Sequence, residues 1–263
     1  MFRYQNAPEV STASAPRKKQ LDQSELVRRS SEDNLQWLQR ALDKLKPASE
    51  ETALLLLGGD DRLSRRLRQA QARMRNDLAP SWWSHALCLP QAQVLSADSE
   101  LWEISLNPQQ GFGFPALANG IQQGRLGHYR ERTVSADANL NSYPNIALLM
   151  VPVAGDKVAE AIAQLQKQRL QQDFPALVLR WLAWAWGTGA QDNPLLEGLG
   201  LPSAVMLEAA FAAADYDLTP GLESRSCCPE AIWQAARWWQ DYQRARPDGK
   251  PSIRSRYCAP HNL

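Results

Sequence analysis

An α+β fold is predicted from three observations. Helical periodicity opens the chain, short strand-like runs fill its middle and helical periodicity closes it, with no strand–helix alternation. The strand-like runs lie close together and are punctuated by turn residues, in Asn107-Pro108, Gly111-Phe112-Gly113, Asn119-Gly120 and Tyr143-Pro144. At 263 residues, 44% apolar and 22% charged, the chain is also long enough to enclose a sizeable core. An antiparallel meander packed against helices follows.

Residues 1–20 are polar, carry Pro8, Pro16 and the run Arg17-Lys18-Lys19, and read as a disordered arm. Over 24–46, Leu26, Leu35, Leu38, Leu42 and Leu45 recur at helical spacing and predict one or two amphipathic helices, ended by Pro47. Residues 1–50 are therefore an arm with a helical extension, and 51–263 form the main domain. Ala53-Leu54-Leu55-Leu56-Leu57, closed by Gly58-Gly59-Asp60, is short enough to be a buried strand. Residues 61–78 predict a helix with a basic face. Strands follow at 84–89, 101–106, 126–134 and 146–153. Helices are expected over 156–171, 174–186, 203–214 and 229–244, the middle two around a Gly/Pro-rich bend at 187–202. A polar tail with Pro247, Gly249 and Pro251 ends the chain.

Twenty-nine basic against 28 acidic residues leave a net charge of +1, so no global field argues for nucleic acid. The arginines at 62, 65, 66, 68, 73 and 75 read as a solvated helix face. Cys88, Cys227, Cys228 and Cys258 match no zinc spacing, so no metal or cofactor is expected. The first thirty residues lack an apolar core of signal-peptide length, and the most apolar run, 174–186, is too short to span a bilayer and contains Arg180. A cytoplasmic protein is expected, or one exported by a route that reads no cleavable signal. Ten tryptophans supply core or interface area. The run Leu179-Arg180-Trp181-Leu182-Ala183-Trp184-Ala185-Trp186 admits either buried packing or contact with a membrane surface.

Two distant stretches carry the chemistry. In Ser226-Cys227-Cys228-Pro229-Glu230 the proline suits the first position of a helix. Cys228 is then the cap residue, its side chain facing free backbone N–H groups and the positive end of the helix dipole, which favours a thiolate. Cys227 lies outside the helix and is worse placed. In Trp83-Ser84-His85-Ala86-Leu87-Cys88-Leu89 a histidine stands on an apolar strand, and Glu103 is a carboxylate inside the next one. Neighbouring strands would bring Glu103 beside His85 to set its tautomer. His128 lies in a more polar segment and His261 in the tail. Each motif also admits an ordinary structural role: buried cysteines, a hydrogen-bonded core histidine, a solvent-facing glutamate.

The order of these motifs resembles the circularly permuted papain-like cysteine hydrolases, the permuted NlpC-type peptidases and amidases related to the lecithin–retinol acyltransferases. Gly59-Asp60, the following helix and Ser84-His85 match that family's opening elements. Glu103 corresponds to its strand acid, Gly120-Ile121 is similar to its Gly-Val element, and Cys228-Pro229-Glu230-Ala231-Ile232 corresponds to its nucleophile motif. The likeness covers 54–162 and 224–239. Proline replaces the usual serine after the cysteine, and 172–222 form a helical insertion longer than the family's connection. The resemblance implies a permuted papain-like fold and acyl transfer through a thioester, with Cys228 as nucleophile, His85 as base and Glu103 orienting it. Substrates would be a peptide or isopeptide amide, a peptidoglycan stem peptide or a lipid acyl ester. The family's uses also include toxin effectors, for which an immunity or inhibitor protein would be the partner. A reading of another class is a non-catalytic helical interaction module with a Trp-rich surface.

Overall fold

The computed structural model describes residues 22–106, 119–130, 142–168, 173–188, 192–244 and 253–260. The expected arm at 1–20 and the turns at 107–108 and 111–113 lie outside them. Among the described residues six α-helices surround a six-stranded, wholly antiparallel sheet, so the architecture is α+β. The strands are β1 (Thr52–Gly58), β2 (His85–Leu89), β3 (Glu100–Glu103), β4 (Gln122–Arg125), β5 (Asn145–Val151) and β6 (Arg254–Cys258), in the order β4-β3-β2-β1-β5-β6.

The leucine run of β1 forms the centre of the sheet, fully buried on both faces between β2 and β5. Alternation sends Leu55 and Leu57 to one side, where α1 (Asn34–Leu45) packs with Trp37, Leu38 and Leu42. Leu54 and Leu56 face the other side, covered by α3 (Gly155–Lys167), α5 (Pro202–Ala213) and α6 (Pro229–Arg244). The remaining helices are α2 (Arg62–Ala70) and α4 (Phe174–Trp186). Helix α1 thus closes one face of the sheet. Residues 172–222 contribute Phe174, Met206, Leu207 and Phe211 to the main core.

Several boundaries differ from the sequence reading. The helix expected over 24–46 begins only at Asn34, where Asp33 and Gln36 form a capping box. The preceding Glu25–Leu26 stretch instead bridges to β6, Leu26 N–H donating to the Tyr257 carbonyl at 2.8 Å. Helix α2 stops at Ala70 and continues only as a 3-10 turn at Ala72–Met74. Arg68 does not belong to a solvated face. It is fully buried, and its guanidinium donates to the carbonyls of Ser81 (2.8 Å) and Gly59 (3.2 Å), tying the end of β1 to the approach to β2. The strand expected at 126–134 is replaced by β4 at 122–125 and a 3-10 turn at Leu126–Tyr129, while 131–134 lie outside the described residues. The expected strand 101–106 ends at Glu103. Helix α3 ends at Lys167, short of 171.

Two further corrections concern apolar pattern. Part of the polar tail is β6, an edge strand whose Ser255 and Tyr257 are buried while arginines alternate with them. The stretch Pro194–Ala213 is long and apolar enough, by length and composition alone, to cross a membrane, contrary to the expectation that no stretch is. Its helix α5 is a core helix here, with Ala204, Met206, Leu207, Ala210 and Phe211 fully buried.

Candidate active site

The base half of the site is assembled at one end of the sheet. His85 is the first residue of β2 and pairs with Leu57 of β1. Cys88 pairs with Trp102, which puts Glu103 on the strand beside it. The His85 Nε2 and a Glu103 carboxylate oxygen lie 2.5 Å apart, with the imidazole partly exposed and the carboxylate buried. Because the carboxylate accepts, Nε2 carries the proton and Nδ1 is left with the lone pair. The same carboxylate oxygen accepts a short hydrogen bond from the Tyr129 hydroxyl. Tyr129 stacks against His85, with ring centroids 6.0 Å apart. Burial, and then the neighbouring Glu103 charge, push the Tyr129 phenol well above its usual range, so it remains a donor. Gly124 of β4 leaves room for the acid: a Cβ there would stand 2.9 Å from Leu101 Cδ1 and 3.1 Å from Glu103 Oε1. Sequence reasoning missed Tyr129, because 126–134 reads as a strand.

The thiol half stands at the start of α6. The Cys228 carbonyl accepts from the Ile232 N–H at 3.1 Å, as a helix cap residue's does. The expectation of a thiolate is corrected. Burial pushes the Cys228 thiol up to about 12, although the backbone N–H groups of Ala231 and Glu230 act in the opposite direction. Its side chain sits in an apolar cluster with Leu63, Leu67 and Ala70 of α2, Trp181 and Ala185 of α4, Leu201 and Ala231. The dipole argument holds for the helix end but is outweighed by the loss of water. Cys227 is also fully buried, but in the main core. The Thr219 hydroxyl lies 3.9 Å from its sulfur, and burial again raises that thiol.

One cleft borders His85 and the start of α6, although neither Cys228 nor Glu103 lines it. It is lined by Ser64 and Leu67 of α2, by Ser84 and His85, by Leu201, and by Pro229, the first residue of α6. Among the described residues no hydrogen bond joins the Cys228 sulfur to the imidazole. What links them is Gln71. Its side-chain amide donates to the Trp83 carbonyl at 2.8 Å, and its carbonyl accepts the Glu230 backbone N–H at 2.9 Å. Ser81 adds a second tie, donating to the Glu230 carboxylate at 2.6 Å. Residues two positions before His85 and two after Cys228 are thus held by one buried side chain. Gln71 gave no signal in the sequence, since its partners lie 12 and 159 positions away. Neither His128 nor any other histidine takes His85's place beside Glu103 among the described residues.

No family model matches the chain, and no curated protein or solved structure matches it.

Proposed function

We propose that this chain is a cysteine hydrolase or acyltransferase of the permuted papain-like type, acting through a thioester. The carrying observation is the 2.5 Å His85–Glu103 pair, whose imidazole lines a cleft also lined by Pro229, the residue after Cys228. In this reading Cys228 attacks a carbonyl and His85 Nδ1 takes the thiol proton. Glu103, anchored by Tyr129, stabilises the imidazolium that forms, and His85 returns the proton to the leaving group. The backbone N–H of Cys228 at the helix start is the natural donor to the developing oxyanion. Water or another acceptor then releases the acyl group. The buried, protonated thiol makes the described conformation a resting one, which becomes reactive when the apolar cover over Cys228 moves.

The substrate is a carbonyl compound of the amide or ester class: a peptide, a peptidoglycan stem or a lipid acyl group. Use as a secreted toxin effector, opposed by an immunity protein, belongs to the same reading. The test is turnover of acyl p-nitrophenyl esters and of short peptide amides by the wild type and Cys228→Ala. Loss of turnover in the variant supports the reading, and equal turnover removes it.

One observation favours the non-catalytic reading. Trp238 is 57% exposed and stacks on Tyr242, centroids 5.1 Å apart, beside a groove lined by Met74, Leu222 and Trp239. Exposed aromatic area of this kind suits a protein partner. In that case neither substrate class is turned over, and Cys228→Ala retains partner binding.

A further inference from the structure

Helix α4 has two faces with different consequences. Its inner face, Trp181 and Ala185, closes the apolar cluster that holds the Cys228 side chain, and Trp181 Nε1–H is pinned to the Gly200 carbonyl at 2.7 Å. Its outer face is apolar as well: Leu179 is 67% exposed and Trp186 54% exposed. These two lie seven residues apart on one helical stripe, with Ala183 between them. The only charged side chain of the helix, Arg180, is engaged by both carboxylate oxygens of Glu197, at 2.6 and 2.8 Å. Next to Glu197, Leu196 is 51% exposed. An apolar surface at this density is costly to leave in water.

Cations frame it. Arg62 of α2 sits over the Trp186 ring at 5.7 Å and Arg66 over the Trp184 ring at 4.9 Å. Arg65 is exposed beside them, and among the described residues none of the three has a carboxylate partner. Unneutralised guanidinium groups stacked on tryptophans, around exposed leucine, match the chemistry of an anionic bilayer surface. The indoles and leucines enter the headgroup–acyl boundary, and the arginines meet the phosphates.

We propose that the outer face of α4, with Arg62, Arg65 and Arg66 of α2, docks on anionic lipid bilayers, and that α4 is a lid whose displacement onto the bilayer uncovers Cys228. The lid rests on the reading of Cys228 as the nucleophile, and the docking does not. Lipid takes up the apolar outer face, which biases α4 toward a position where its inner face no longer shields the thiol.

The test uses the full chain with sedimented vesicles of phosphatidylcholine alone and of phosphatidylcholine with phosphatidylglycerol. Cys228 alkylation by iodoacetamide is mapped in parallel by mass spectrometry. Expected are binding to the anionic vesicles only, weakened by added salt, and a loss of about tenfold or more in partitioning for Arg62→Ala/Arg66→Ala and for Leu179→Asp. Circular dichroism verifies that these surface variants fold. Alkylation of Cys228 should rise on the anionic vesicles while Cys88 and Cys227 stay unlabelled. Absence of binding, equal binding to both vesicle types, or unchanged binding of the variants overturns the docking. Binding without a rise in Cys228 labelling overturns the lid. Cys228→Ala should bind vesicles as the wild type does, so a failed nucleophile and a failed membrane surface give different results.

Discussion

The two halves of the candidate site are built by opposite means. The base half is polar and tied: His85, Glu103 and Tyr129 come from two strands and a turn and share one buried carboxylate oxygen. The thiol half is apolar and covered, with Cys228 beneath α2 and α4 and its ionisation suppressed by burial. Hydrogen bonds fix geometry, so His85, Glu103 and Tyr129 are held in one arrangement. Apolar cover withholds water, so the second half holds a thiol kept protonated by burial. Gln71 ties the start of the strand that carries His85 to the helix that follows Cys228.

The largest effect should separate the adjacent cysteines. Cys228→Ala is expected to abolish turnover with an unchanged circular dichroism spectrum. Cys227→Ala, which removes a core sulfur packed near Thr219, should keep most of it. Equal loss in both would show that the comparison has been drawn around the wrong thiol.

Next come the residues of the base half, graded by what each does. His85→Ala should lower kcat by about 10²- to 10⁴-fold, the usual range for a lost acid–base group. Glu103→Gln should cost less, because an amide still accepts from Nε2–H but cannot stabilise imidazolium with a full charge. Tyr129→Phe should cost least, removing one donor from that carboxylate. A kinetic series on one ester substrate reads this order, and full activity in Glu103→Gln would leave His85 without its proposed orienting partner.

Gln71→Leu tests the joint between the halves. It strips a partner from the buried Trp83 carbonyl and the Glu230 N–H, each worth about 1–3 kcal/mol when left unsatisfied. Urea unfolding should show a loss of about 2–6 kcal/mol for the two together. A neutral result would mean that the helix start and the strand start are positioned independently.

A further effect is a pH dependence of stability near Cys227. Glu208 of α5 accepts from the Thr219 hydroxyl at 2.9 Å, beside Cys227, and burial raises its carboxyl from 4.5 to about 7. Between those values the folded state holds a proton that the unfolded state has released. Stability should therefore fall as pH rises from about 4.5 and level off above about 7. Glu208→Gln removes this charge, so its melting temperature relative to wild type should climb across the same window. A difference of about 1 kcal/mol corresponds to roughly 2–4 °C. A constant offset from pH 4 to 8 would remove Glu208 as the titrating group.

Legibility in the sequence followed the range of the interactions. The leucine run of β1, the apolar run of β2 after His85 and the amphipathic pattern of α6 are local, and each element stands where its pattern put it. The proline after Cys228 located the helix start for the same reason. Strand β6 was not legible, because Arg254-Ser-Arg-Tyr-Cys becomes a strand through β5 pairing and the packing of Tyr257 on Trp82 and Trp233. Gln71 and Tyr129 are ordinary polar residues until the fold supplies partners far along the chain. The burial of Cys228 was not legible because a cap position is a local property, whereas its cover comes from α2 and α4.

The most direct test of a fixed base serving a guarded thiol is the site of acylation. Wild type, His85→Ala and Cys227→Ala would each be incubated with p-nitrophenyl acetate, quenched in acid and mapped by peptide mass spectrometry. An acetyl group on Cys228 in the wild type and in Cys227→Ala, strongly reduced in His85→Ala, is the predicted result. Acetylation of another residue, or an equal yield on Cys228 without His85, would contradict it.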